Sequence, residues 1–289
     1  MNEYVILTDS TCDLPADMAM ELNLSVISLS VLLDEKNYKN YLDGRELSFQ
    51  DFYDSMRNKK LPTTSAVNVF DFLEIMEPIL ASGKDILYLG FSSAMSGTFS
   101  AGCVATKELL QKYPKQKILT VDSLSASLGE GLLVYLCAME KKRGSTIEQL
   151  QAYAEANKMH ICHLFTVDDL FHIKRGGRIS SSTAIFGSIL GIKPILRVDE
   201  GGLMNTIGKA RGRKGALREL VNLVKETITN PEMPIFIGHG DCLNEAEQVA
   251  MMLKEQVGAK KVFINYIGVV CGSHSGPGIL GIFYYGKKR

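Results

Sequence analysis

At 289 residues the chain is longer than a usual single domain, and 46% apolar with 22% charged residues is ample material for a core, which excludes disorder. Lysine plus arginine balances aspartate plus glutamate at 32 each, so no net field gathers nucleic acid or inserts the chain at an anionic membrane. Six scattered cysteines without a CxxC pair read as reduced thiols, and the opening MNEYVILTDS lacks a basic region and a long apolar run, so a cytoplasmic location is expected.

Residues 4–8 (YVILT) form a β-branched run ending at Asp9-Ser10-Thr11, which predicts a strand with a polar end. Pro62-Thr63-Thr64-Ser65 then precedes a helix over 69–81, and a strand follows over 85–90. A hydroxyl-rich turn (Ser92, Ser93, Ser96 and Thr98 around Gly97) leads into a helix over 101–111. A strand over 117–121 ends at Asp122-Ser123, and helices are expected over 131–141 and 146–158. Strand-like alternation at 160–167 opens a second half with strands over 195–198, 235–238 and 262–270 and helices over 214–227 and 244–257. The expected fold is α/β and two-lobed, with lobes at 1–158 and 159–289. Each is a mixed or parallel sheet with flanking helices, and a ligand lies between them. The longest apolar stretch, 184–196, is broken by Gly187, Gly191, Lys193 and Pro194 and is too short to span a bilayer.

Three segments carry chemistry. The turn around Gly97 runs from a strand end to a helix start, where free N–H groups and the helix dipole suit a phosphate or carboxylate; plain helix capping explains it equally well. The Thr63-Thr64-Ser65 cluster is open to the same two readings. Gly272-Ser273-His274-Ser275-Gly276-Pro277-Gly278 sets a histidine among glycines where backbone approaches a ligand closely, so His274 is a hydrogen-bond donor, a general base or a turn residue. No Walker loop, GxSxG elbow or zinc spacing is present. His160, Cys162, His163 and His172 read as structural, and no metal or cofactor is expected. Two basic clusters, Lys174-Arg175-Gly176-Gly177-Arg178 and Lys209-Ala210-Arg211-Gly212-Arg213-Lys214, are either solvated faces or oxyanion contacts.

In order, VILTDSTCDLP, LPTTSAVN, LGFSSAMSGTFSA, VDSLSASLGEGLLV, VDDLFHIKRGGRIS, ILGIKPIL and GSHSGPGILGIFYYG resemble the DegV family across nearly the whole chain. The resemblance implies a non-catalytic protein that encloses a long-chain fatty acid and presents it to the catalytic subunit of a fatty acid kinase. On that resemblance Thr64 and Ser96 would hold the carboxylate, His274 would approach it, and Arg175 would lie near the head group or on the surface that meets the kinase. Where many relatives carry TSQP this chain reads Thr64-Ser65-Ala66-Val67, which removes a polar glutamine and a proline from the turn and leaves Thr64 intact. A buried carboxylate costs several kcal/mol unless donors replace its water. A palmitate-like tail of roughly fourteen methylenes contributes on the order of 11 kcal/mol before ordering costs. Residues 185–195 and the helix from Val69 are the expected wall. The rival reading is an acyl hydrolase using Ser96, His274 and Asp9, against which the missing elbow argues.

Overall fold

The computed structural model describes residues 3–179 and 191–289. In chain order the elements are β1 (Tyr4–Asp9), α1 (Ala16–Glu21), β2 (Ser25–Ile27), β3 (Ser30–Leu33), β4 (Lys36–Lys39), α2 (Phe49–Arg57), β5 (Thr63–Ser65) and α3 (Val69–Ala81). Next come β6 (Asp85–Gly90), α4 (Thr98–Lys112), β7 (Ile118–Asp122), α5 (Leu128–Lys142), α6 (Ile147–Asn157), β8 (Ile161–Thr166) and α7 (Leu170–Gly176). The chain continues through β9 (Ile192–Val198), β10 (Met204–Arg211), α8 (Gly212–Thr227), β11 (Ile235–His239), α9 (Leu243–Val257), β12 (Val262–Tyr266), α10 (Val269–Ser275) and β13 (Leu280–Tyr285).

The α/β expectation holds. A four-stranded sheet, β2-β1-β6-β7, is parallel throughout, and a six-stranded sheet, β10-β9-β8-β13-β11-β12, is mixed. A third, antiparallel ribbon, β4-β3-β5, pairs Thr64 with Val31. Strand alternation divides each main sheet into two faces. In the parallel sheet Leu7, Ile86 and Tyr88 pack under α3 and α4, while Ile6, Leu87 and Leu89 meet α5. In the mixed sheet Leu164, Ile282 and Ile237 pack under α8 and α9, while Ile161, Phe236 and Phe283 also meet α5. Helix α5 therefore lies between the sheets, and most of its side chains, Glu130 included, are buried.

Several short elements differ from the sequence expectation. Thr63–Ser65 is a strand and not a cap: α3 is capped by Asn68, whose side chain accepts from Asp71 N–H at 3.0 Å while Asp71 accepts from Asn68 N–H at 3.2 Å. The expected strand over 262–270 ends at Tyr266, because Gly268 starts α10 there. Lys209 and Arg211, from the second basic cluster, sit on the edge strand β10, where charge discourages further pairing. The apolar residues 185–190 lie outside the described residues.

The burial of α5 gives a sharp expectation. A Cβ on Gly131 would lie 2.4 Å from the Cys12 carbonyl oxygen. Gly131→Ala should destabilise the fold by about 1–3 kcal/mol despite alanine's helix propensity, read as a lower urea midpoint at unchanged slope.

Candidate functional site

One pocket gathers the candidates. It opens between the ends of β5, α4, α7 and α10 and runs onto the α5-facing side of the mixed sheet; mouth included, it holds about 930 Å³ of unfilled space. At one end stand Thr64, Ser96, His274 and Arg178, and the remaining wall is largely apolar, with Phe91, Phe165, Val198, Ile267 and Phe283. Among the described residues no aspartate or glutamate lines it.

The local structure explains the convergence. On the three-residue strand β5, alternation turns Thr64 inward while Thr63 and Ser65 stay exposed. Thr64 Oγ1 lies 2.9 Å from His274 Nε2 on the last turn of α10. Ser96 precedes α4, whose N-cap Gly97 offers no side chain; Ser96 Oγ accepts from Thr98 N–H at 3.2 Å and lies 2.9 Å from Thr98 Oγ1. Thr98 Oγ1 also accepts from Val67 N–H at 3.3 Å, tying the loop after Thr64 to the start of α4. Ser96 thus satisfies the first N–H of α4 and also borders the pocket.

The basic cluster divides its labour. Arg175 is exposed, yet its guanidinium donates to the Pro62 carbonyl at 3.2 Å and to the Ser273 carbonyl at 3.1 Å, clipping α7 to the residues flanking Thr64 and His274. The cation in the pocket wall is Arg178, held by the Met95 carbonyl at 3.0 Å and the Gly176 carbonyl at 2.5 Å. Sequence reading named its cluster but singled out Arg175. The signal available was Gly177, which ends α7 in a left-handed turn (φ 67°) and redirects the chain at residue 178.

Other expectations are corrected. The glycines of the GSHSGPG segment admit protein side chains: a Cβ on Gly276 would lie 2.4 Å from His172 Cδ2, and one on Gly278 would lie 2.1 Å from Asp168 Oδ2. Helix α3 packs on the far face of the parallel sheet through Phe72 and Met76 and does not wall the pocket. The hydrolase constellation is not assembled. Asp9 is buried, accepting from Thr11 and from Phe91 N–H at 3.0 Å, while His274 pairs with Thr64. His160 stacks on Tyr285, and no group of three metal-ligating side chains forms among the described residues. All six cysteines are free, and no described helix is long and apolar enough to cross a membrane.

A family model described as "Uncharacterised protein, DegV family" matches residues 3–287. A DegV domain-containing protein of Clostridium perfringens is 45% identical over 290 residues, covering 100% of this chain and 99% of its own. A fatty-acid-binding DegV family protein from Thermus thermophilus has the same fold at TM-score 0.85 and 28% identity, covering 99% of this chain and 100% of that one. DegV of Bacillus subtilis, a fatty acid binding protein, matches at TM-score 0.85 and 29% identity, covering 98% and 99%.

The histidine at the polar end sets a pH dependence. Burial, then the neighbouring Arg178 and Arg175, push the His274 pKa from 6.5 down to about 4. Between those values the unfolded chain binds a proton that the native protein refuses, so stability falls as pH falls. Relative to His274→Gln, the native protein should lose about 2 kcal/mol of unfolding free energy between about pH 7 and about pH 5, measured by urea titration at each pH. A parallel dependence in the variant would refute this assignment.

Proposed function

The chain belongs to the DegV family, and on that premise we propose that it binds one long-chain fatty acid and presents it to a kinase without catalysing a reaction itself. The observation that carries the reading is the division of the pocket into one polar end and an apolar remainder. Two hydroxyls, a neutral histidine and one arginine, with no acid among them, suit a carboxylate: with His274 Nε2–H donating to Thr64, the Thr64 hydroxyl is left to donate to the anion, and Ser96 and Arg178 donate beside it in place of water. The apolar wall suits the tail, since each buried methylene is worth about 0.8 kcal/mol. Fatty acid binding by the Thermus thermophilus and Bacillus subtilis relatives supports the same ligand class.

The setting is the cytoplasm, where the partner is the catalytic subunit of a fatty acid kinase. That partner brings the nucleotide, because this sequence carries no Walker loop. Arg175 belongs to the surface the kinase meets: its guanidinium is fixed by two carbonyls beside the polar end and remains exposed.

Organic extraction of the purified protein followed by mass spectrometry should release roughly one free fatty acid per chain. Thr64→Ala with Ser96→Ala should retain the fold and raise the fatty acid Kd by one to two orders of magnitude per lost bond, since a hydrogen bond to a charged group is worth about 1.5–3 kcal/mol. Unchanged affinity would sink the carboxylate assignment. Arg175→Ala should keep its lipid and lower the rate of acyl-phosphate formation with the kinase; an equal rate removes Arg175 from that step.

A further inference from the structure

The inner end of the pocket is built differently from its polar end. On the α5-facing side of the mixed sheet the register pairs Met204 with Val198 and His163 with Phe283. One more step of the β8–β9 register sets Val198 beside His163, which makes a single row across four strands. All four residues line the pocket. The next row does not: Ile161 is fully buried with Leu128 and Leu132 of α5, and Tyr285 packs against the same cluster. The cavity therefore ends where the first turn of α5 comes down on the sheet. The polar end lies the other way along the same strands, because β8 runs from His163 toward α7 and β13 arrives from α10, the helix that carries His274.

His163, at the middle of that row, is fixed on every side. Its Nδ1 donates to the Ile161 carbonyl at 3.0 Å and its Nε2 accepts from Ala126 N–H at 3.3 Å, an arrangement that assigns a neutral ring. The ring meets Phe283 edge-on, with centroids 5.5 Å apart. A Cβ on Gly129 would sit 1.9 Å from Nε2, so α5 approaches this closely only because residue 129 has no side chain. With both nitrogens engaged, His163 has no hydrogen bond left to offer the cavity, and it acts there as a rigid block.

We propose that the row centred on His163 and closed by Phe283 is the chain-length stop of the pocket, fixing the longest straight acyl chain that the protein accepts. The inference rests on the fatty-acid reading above and assigns its specificity. Each added methylene should tighten binding about four-fold while the tail still has room, and further carbons should meet a packed wall that cannot yield.

The test is calorimetric binding of the delipidated full chain to straight saturated acids from lauric to arachidic. The wild type should show an optimum followed by a fall. His163→Ala should move the optimum to longer homologues. Phe283→Leu, which leaves the Ala126 N–H bond intact, should move it the same way by less. Thr64→Ala should weaken every homologue without moving the optimum. If the optimum stays in place in both folded wall variants, the stop lies elsewhere and the inference falls while fatty acid binding stands. If the wild type binds none of the series, the functional reading falls, and the stop with it.

Discussion

Helix α5 lies between two sheets, so the polar segment that leads into it must satisfy its backbone inside the protein, and the rest of the site is arranged around that demand. An unsatisfied buried donor or acceptor costs about 1–3 kcal/mol, and the segment from Ser123 to Ser127 carries several. The buried Arg289 guanidinium donates to the Ser123 and Leu124 carbonyls and to Ser125 Oγ. The Ser125 carbonyl accepts from Ser92 N–H at 3.0 Å, Ala126 N–H goes to His163, and Ser127 Oγ donates to Asp13 at 2.6 Å. Leu124 and Ser127 hold left-handed backbone at φ 49° and φ 54°, a strain that persists only where surrounding bonds over-determine it. Ala126 and Ser127 then become pocket wall, so the helix that welds the sheets also closes the cavity between them.

The polar end follows a different principle, in which short elements are tied by side chains acting on neighbouring backbone. Thr98 fastens the β5–α3 loop to α4, Arg175 fastens α7 to β5 and α10, and Arg178 fastens the chain after α7 to the loop before α4. None of these ties is an ion pair. They place hydroxyls and a histidine within one opening without bringing in an acid. Burial together with the two arginines favours the neutral form of His274, whose Nε2 lies 2.9 Å from Thr64 Oγ1.

Sequence pattern revealed the long elements because their burial is periodic: α3 was read to its ends, and β6 and β11 within a residue, from apolar runs alone. Short elements escaped it. Three residues of β5 carry no period, α10 opens on Gly268 and contains Gly272, and β13 directly follows the GPG turn and was absorbed into that motif. The residue types of the polar end were legible as hydroxyl clusters at chain turns, but their meeting was not, since Thr64 reaches His274 across 210 positions. His163 gave no signal beyond being a histidine near others. Its role depends on a strand register and on the missing side chain at Gly129, and neither can be read locally.

The acids behind the pocket complete the electrostatic picture. Asp9 accepts from the N–H of Phe91, and Asp13 from Ser127, so each stands one residue behind a lining position. Glu130 joins them through Thr8 at 2.9 Å and Thr11 at 3.2 Å. Three ionised carboxylates here would cast a negative potential through an apolar wall and oppose any anionic ligand. Burial works against this: it is the largest cause raising all three, with Asp13 pushed up to about 7 and Glu130 well above its usual range, and the charge of Asp9 adds to the rise of the other two, while the hydrogen bonds that Asp9 accepts hold its own rise back. The same desolvation that lowers His274 thus raises its acidic neighbours. Both shifts favour the neutral form, so Arg178 remains the cation in the pocket wall among the described residues, at the end where the hydroxyls converge.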